Sequence, residues 1–271
     1  MCLLVVIRMG VNPRKSSFVK EKLTNEERKE EKSKQAYTYF KDKADGSHSY
    51  KGDGTEQVKF FNEHSNYNEL IEGMTKEERE WFSDYWAPGM FMSGQQYRGW
   101  DSMSDSYKRA TQTYDDVLDK SVFNKGLVVV RRATAELILG KGNKYGSLNE
   151  LQAMKGQEVI SRGNMSCGVA SQGLTIGASK NVEYKIFIPK GAKGAGMWIG
   201  DHRINGWGAK QREFMTNRDI RLKVGKTTYD SDRGVYVVEL KYNGGLVHDY
   251  GTSGRMKPLR HVELPPRRSR T

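Results

Sequence analysis

Only two cysteines occur in the 271 residues, Cys2 and Cys167. With one of them at the second position, a structural disulfide is not expected, and a reducing compartment suits the chain. Long apolar runs are also missing. The stretch Met1–Ile7 is apolar but stops at Arg8, far short of the roughly 20 residues that cross a bilayer. No basic region precedes it, so neither a membrane span nor a signal peptide is expected, and the anticipated location is a cytoplasm. Histidine is scarce and scattered: His48, His64, His202, His248 and His261 have no metal-ligand spacing, so no metal site is anticipated. Apolar residues make up only 36% of the chain, and the mean hydropathy is -0.76.

Aromatic residues at 10%, with five tryptophans, nevertheless argue against wholesale disorder. Lys and Arg number 45 against 33 Asp and Glu, a formal net charge of +12. An excess of this size favours anionic company: nucleic acid, an acidic protein face or a phosphate-bearing ligand.

Residues 1–60 read as a charged arm and linker. A capping-box spacing, Thr24 with Glu27, opens a Glu/Lys-rich helix expected to reach about Phe40. Residues 44–57 hold little that is apolar and read as a loop. The compact domain, 61–271, is expected to have a helical part over 61–125, a β core over 126–250 and a basic tail over 251–271. Within the helical part, Thr75 and Glu78 form a second capping box ahead of Trp81, Phe82, Tyr85 and Trp86. Another helix is expected from about Ser104 to Lys120. From Gly126 the pattern turns strand-like. Leu127–Val130 suits a strand buried on both faces. Val182–Ile188, Ile220–Val224 and Val235–Leu240 read as further strands, with one short helix beginning at Ser147. Helices first and strands afterwards make the fold class α+β.

Two motifs fail on inspection. Gly140–Gly146 resembles a dinucleotide fingerprint, but its last glycine is one residue late and no βαβ unit surrounds it. Gly225-Lys226-Thr227 ends like a phosphate-binding loop but lacks the glycine five positions earlier, and it reads as a turn. Three short pieces remain. Leu127–Val130 ends in Arg131-Arg132, and a guanidinium at the end of a buried strand either pairs with a carboxylate or binds an anion. Ser166 heads Ser166-Cys167-Gly168. Gln211 and Glu213 stand two apart, so on a strand they face the same side.

In order and spacing, these pieces resemble the Arg, Ser, Glu signature of mono-ADP-ribosyltransferases. The segment Ile186–Ala195 resembles the strand and turn between the serine motif and the catalytic loop. Tyr85 and Arg98 are similar to the Tyr and Leu-Arg positions of binary actin-modifying toxins. The resemblance covers about residues 70–240 and implies a helical layer followed by two packed, mostly antiparallel sheets, with NAD in the cleft between them. It implies Arg131 on the diphosphate, backbone at Arg132 on the nicotinamide carboxamide, and Tyr85 and Arg98 as further cofactor-binding residues. Glu213 would bind the ribose 2′-OH and stabilise the positive charge that develops as the nicotinamide–ribose bond breaks. Ser166 would orient Glu213. Gln211 and Trp207 would read the acceptor, a protein side chain or a nucleic-acid base, since Gln two before the catalytic Glu resembles the branches modifying asparagine, glutamine or guanine. NAD is then a substrate, no metal is required, no membrane is involved and a monomer is expected. A toxin-like effector or phage-encoded modifier fits this pattern. The motif departs from the family at Gly168, where a second serine is expected. The rival readings are a weak or inactive NAD-binding module and a basic nucleic-acid-binding protein.

Overall fold

The computed structural model describes residues 29, 36–42, 49–52, 54–83, 95–174, 181–201, 204, 210–248 and 250. The expected start of the helix at Thr24, the residues Tyr85, Trp86 and Trp207, and the basic tail fall outside them. The chain divides into units Met1–Gln35 and Ala36–Thr271, so the second unit begins well before residue 60. Where a helix was expected to reach Phe40, Tyr37–Thr38 forms strand β1, parallel to β2 (Gly126–Ala133). The reason is tertiary. The Tyr37 ring meets Phe187 edge-on at 5.2 Å, and Gly126 admits the close approach, since a Cβ there would lie 2.9 Å from the Ala36 carbonyl oxygen. Phe40 and Tyr50 are buried too.

The helical layer follows. Helix α1 (Thr55–His64) carries Phe60 and Phe61 inward, and α2 (Tyr67–Gly73) buries Tyr67, Leu70 and Ile71. Helix α3 (Lys76–Ser83) opens on the expected capping box: the Thr75 amide donates to Glu78 at 2.6 Å, and the Glu78 amide donates to the Thr75 hydroxyl at 3.2 Å. Helix α4 (Asp105–Leu118) is capped by Ser104 and buries Ala110, Tyr114, Val117 and Leu118. Two short helices, α5 (Glu136–Leu139) and α6 (Leu148–Ala153), interrupt the strands, and a Ser147–Glu150 capping box starts the second.

The remaining strands are β3 (Glu158–Ser161), β4 (Ser166–Gly168), β5 (Val182–Ile188), β6 (Gly196–Trp198), β7 (Glu213–Thr216), β8 (Ile220–Asp230) and β9 (Val235–Gly245). Their hydrogen-bonded order is β3-β8-β9-β5-β2-β4-β7-β6, antiparallel except where β5 meets β9. The expected two sheets appear as two groups of strands in one continuous path. The path narrows between β2 and β4 to a single register pair, Val130↔Gly168. The Gly225–Thr227 stretch is no turn. It lies inside β8, whose register shifts between Val224 and Thr227 and absorbs the glycine as a bulge.

Strand β2 is buried on both faces, as its four apolar residues require. Leu127 and Val129 enter the main core, while Val130 packs with Tyr50 and Ala170 in a second cluster. Beneath β6 and β7, Phe61 stacks on Trp198 at 5.1 Å and on Phe214 at 6.1 Å. Burial of aromatics of this size contributes on the order of 2 kcal/mol each.

A buried ionic network fixes the turn between β7 and β8. The Arg218 guanidinium donates to both Asp115 oxygens, at 2.7 to 3.0 Å, and to Asp219 at 2.7 Å. Asn217 donates to Asp119 at 2.6 Å, and the Tyr250 hydroxyl to Asp115 at 3.0 Å. His248 bridges Asp119 at 3.0 Å and Asp219 at 3.4 Å. Burial alone would lower the imidazole pKa, but its hydrogen bonds to these two carboxylates, with the charge of Asp115, raise it to about 9. A raised imidazole stabilises the fold fully below its ordinary 6.5, and the contribution is lost as pH rises through about 9. Urea unfolding at a series of pH values should therefore show a decline between these limits in the native chain. The decline should be absent in His248→Gln, measured against the same buffer series.

Candidate functional site

Strand β2 delivers Arg131 beside β4. Its Nη1 donates to the Ser166 carbonyl at 2.6 Å. Strand β4 in turn pairs with β7, with Gly168 opposite Glu213. Because side chains alternate along β7, Phe214 enters the core and Glu213 projects the other way. Glu213 is only 3% exposed. The Ser166 side chain lies close enough to favour the ionised carboxyl, while Oε2 has no hydrogen-bond partner among the described residues. Burial pushes the Glu213 pKa above the usual carboxylate range, and Ser166 and the Arg131 charge pull it only partly back. Cys167 lies between them, its thiol pushed up to about 12 by burial, so it is a packing residue and no nucleophile. Strands β2, β4 and β7 thus bring Arg131, Ser166 and Glu213 together.

Gln211 stands differently from expectation. Residues 210 and 211 are in a helical turn, Arg212 is left-handed at φ 48°, and the strand begins only at Glu213. Strand alternation therefore does not place Gln211 beside Glu213. Gln211 is itself buried, 6% exposed. A left-handed arginine costs about 1–2 kcal/mol, and surrounding contacts hold it there. Its Nη2 donates to the Lys51 carbonyl at 3.0 Å, and its own carbonyl accepts from the Val169 amide at 2.8 Å.

Arg132 is half-buried, and Gly173 rests against its backbone: a Cβ on Gly173 would lie 2.8 Å from the Arg132 amide nitrogen. Arg98 is exposed at the end of the helical turn 95–98. Buried Gln96 anchors that turn, donating to Asn164 at 2.6 Å and accepting from the Asn164 amide at 2.9 Å. Beside Arg98, the Tyr97 hydroxyl meets Ser161 at 3.2 Å, and both Tyr97 and Arg131 act electrostatically on the buried Tyr184 hydroxyl. Tyr85 and Trp207 lie outside the described residues.

Three residues near the site were not singled out from the sequence: Tyr97, Arg212 and Tyr50. Tyr50 lies in a polar stretch that has the composition of a linker, and no local signal distinguishes it. Among the described residues, no group of three or more His, Cys, Asp or Glu is placed to hold a metal ion. No described helix is long and apolar enough to cross a membrane.

No protein-family model matches the chain, and no curated protein matches it by sequence. Solved structures do match. Plx2a, an ADP-ribosyltransferase toxin from Paenibacillus larvae, is 16% identical with a TM-score of 0.60, covering 71% of this chain and 97% of that one. C3stau2 from S. aureus, solved with NAD, is 14% identical with a TM-score of 0.57, covering 76% and 100%. The enzymatic component C2-I of the C2 toxin from Clostridium botulinum is 13% identical with a TM-score of 0.56, covering 72% and 48%. The α+β fold of this chain is that of the ADP-ribosyltransferase toxins.

A carboxyl raised by burial opposes folding once it ionises. Below its ordinary 4.5 the group is neutral in both states, and the penalty grows as pH rises through the elevated folded value. Glu213→Gln should therefore melt higher than the native chain at pH 8. Calorimetry at falling pH should show the difference shrinking, and it should vanish below about pH 4.5.

Proposed function

We propose that this protein cleaves the nicotinamide–ribose bond of NAD and transfers ADP-ribose to a macromolecular acceptor. The observation that carries this reading is the buried Glu213 carboxyl, near Ser166 and the Arg131 charge, with Oε2 an unused acceptor among the described residues. Such an atom suits a ribose 2′-hydroxyl, whose hydrogen bond would compensate a buried oxygen now without one. The fold likeness to toxins of this activity supports it.

The roles follow from the chemistry of each side chain. As the glycosidic C1′–N bond breaks, its electron pair leaves with nicotinamide and neutralises the pyridinium. Positive charge appears on the ribose, and an ionised Glu213 stabilises it in a low-dielectric site. Arg131 supplies a fixed guanidinium for the diphosphate, a planar double donor that a lysine cannot reproduce. Backbone at Arg132 would hold the carboxamide, and Arg98 with Tyr85 would complete the NAD site. The acceptor's lone pair then bonds to C1′, and its proton passes to solvent. Gln211 and Trp207 would meet an acceptor of amide or base character, since a neutral Gln can hydrogen-bond such an edge without abstracting a proton. The protein would act as a monomer in the cytoplasm of the producing or infected cell, as an effector or phage-encoded modifier. The +12 charge tilts the acceptor toward nucleic acid or a nucleic-acid-bound protein.

Nicotinamide release from purified protein and NAD tests the central claim. Glu213→Gln should bind NAD with nearly native affinity while release falls by roughly 100-fold or more. Equal rates in the two proteins would remove Glu213 from catalysis, and NAD binding without release in the native chain would leave only a binding module. Labelled NAD in a lysate, with and without nuclease, should place label in one acceptor class and none in the Glu213→Gln control.

Gln211→Ala separates acceptor reading from scaffolding. Label transfer should fall at least about tenfold more than NAD hydrolysis. A proportional loss in both reactions would make Gln211 a structural residue of the turn.

A further inference from the structure

Position 168 is glycine where the motif expects a second serine, and the structure shows what fills the space. A Cβ built on Gly168 would overlap the Tyr50 hydroxyl and come within 3.1 Å of the ring's Cζ. Tyr50 is 5% exposed and packs with Val130 and Ala170. Its hydroxyl donates to the Gln172 carbonyl at 2.6 Å. The phenol therefore ties the 172–174 turn to the segment around Tyr50. In the same turn, the Gly173 amide donates at 3.0 Å to Glu183, a fully buried carboxylate held by Arg233. That turn is the one resting on the backbone of Arg131 and Arg132.

The same short segment reaches the catalytic turn. The Tyr50 amide donates to the Lys210 carbonyl at 3.1 Å, and the Lys51 carbonyl accepts from Arg212. Gly54, left-handed at φ 80°, lies flat against the guanidinium, where a Cβ would stand 3.2 Å from Cζ. Upstream, the Asp42 carbonyl accepts from both the amide and hydroxyl of Ser171.

We infer that the segment around Tyr50 is a built-in brace of the active site, and that Tyr50 is a positioning residue standing in for the missing serine at position 168. It touches no reacting atom. It acts by holding the Gly173 turn against Arg131 and Arg132 and the 210–212 turn ahead of Glu213. The departure at Gly168 is then a substitution of partner and not a loss of function. The inference rests on the proposed NAD chemistry only for its kinetic readout.

The test is a reciprocal exchange. Tyr50→Phe keeps the ring and removes the hydroxyl hydrogen bond to Gln172; it should lower kcat for nicotinamide release about tenfold while KM for NAD changes less than about threefold. Gly168→Ser adds the family's side chain against a rigid ring and should lower kcat at least about 100-fold. Combining Gly168→Ser with Tyr50→Ala should recover at least about tenfold of that loss, a coupling that independent defects would not show. Amide hydrogen exchange on the same proteins reads the brace without any chemistry. Tyr50→Phe should lose protection selectively at 169–174 and 210–213, with β8 and β9 unchanged. Losses that simply add in the double variant, or native protection of both turns in Tyr50→Phe, would overturn the brace. If the native chain releases no nicotinamide, the enzymatic reading fails, and the exchange data alone decide whether the brace exists.

Discussion

Keeping the Glu213 carboxyl out of water is the constraint on which the rest of the structure depends. An ionised carboxylate in a protein interior carries a penalty of several kcal/mol even after relaxation. Among the described residues one oxygen is left without a hydrogen bond, and Ser166 and the Arg131 charge partly offset the burial. In the proposed reaction, that discomfort is what the group would contribute. A carboxylate already satisfied by protein donors would have nothing to offer a ribose hydroxyl, and one in water would stabilise developing charge weakly. Strand β7 must therefore hold a costly side chain in one place without giving it partners.

Holding it requires both ends of a four-residue strand to be fixed. At the far end, Arg218 and Asp219 are locked to Asp115 in α4, with His248 and Tyr250 closing the cluster. At the near end, left-handed Arg212 is held by Lys51 and Val169. These are buried, multiply bonded contacts. Removing one partner of such a pair strands a charge and costs about 3–5 kcal/mol, whereas exposed pairs such as Lys59–Glu63 or Lys76–Glu80 contribute roughly 0.3–0.5 kcal/mol. The magnitudes say where rigidity is concentrated: in the two turns flanking β7, not on the helical surface.

What the sequence reveals divides along the same line. Leu127–Val130 is legible because a strand buried on both faces needs four apolar residues in a row, and the Thr75–Glu78 capping box is legible because its chemistry is local. The association of Arg131, Ser166 and Glu213 is implied only by the family resemblance, since each piece is ordinary alone. Tyr37, Tyr50 and Gln211 are not legible, and for a common reason. Each takes its conformation from residues distant in sequence: Tyr37 from Phe187, Tyr50 from Gly168 and Gln172, and Gln211 through Arg212, which Lys51 and Val169 hold left-handed. A polar, glycine-bearing stretch looks like a linker until the surface it lies on is known. The boundary near residue 60 missed for that reason, since the residues from 36 onward are apolar too sparsely to announce a core.

The same reasoning accounts for a shared fold at 13–16% identity with no match by sequence. The fold needs a strand that is apolar enough, a ladder that brings β4 beside β7, and a filled volume at each buried position. Many residue sets meet those conditions. At Gly168 the volume is filled from another part of the chain, so the local motif changes while the space around Glu213 stays closed. A motif is then a record of one solution to a packing problem. Here a glycine and a distant tyrosine make another, and the physical requirement they share is that the backbone on either side of Glu213 cannot move.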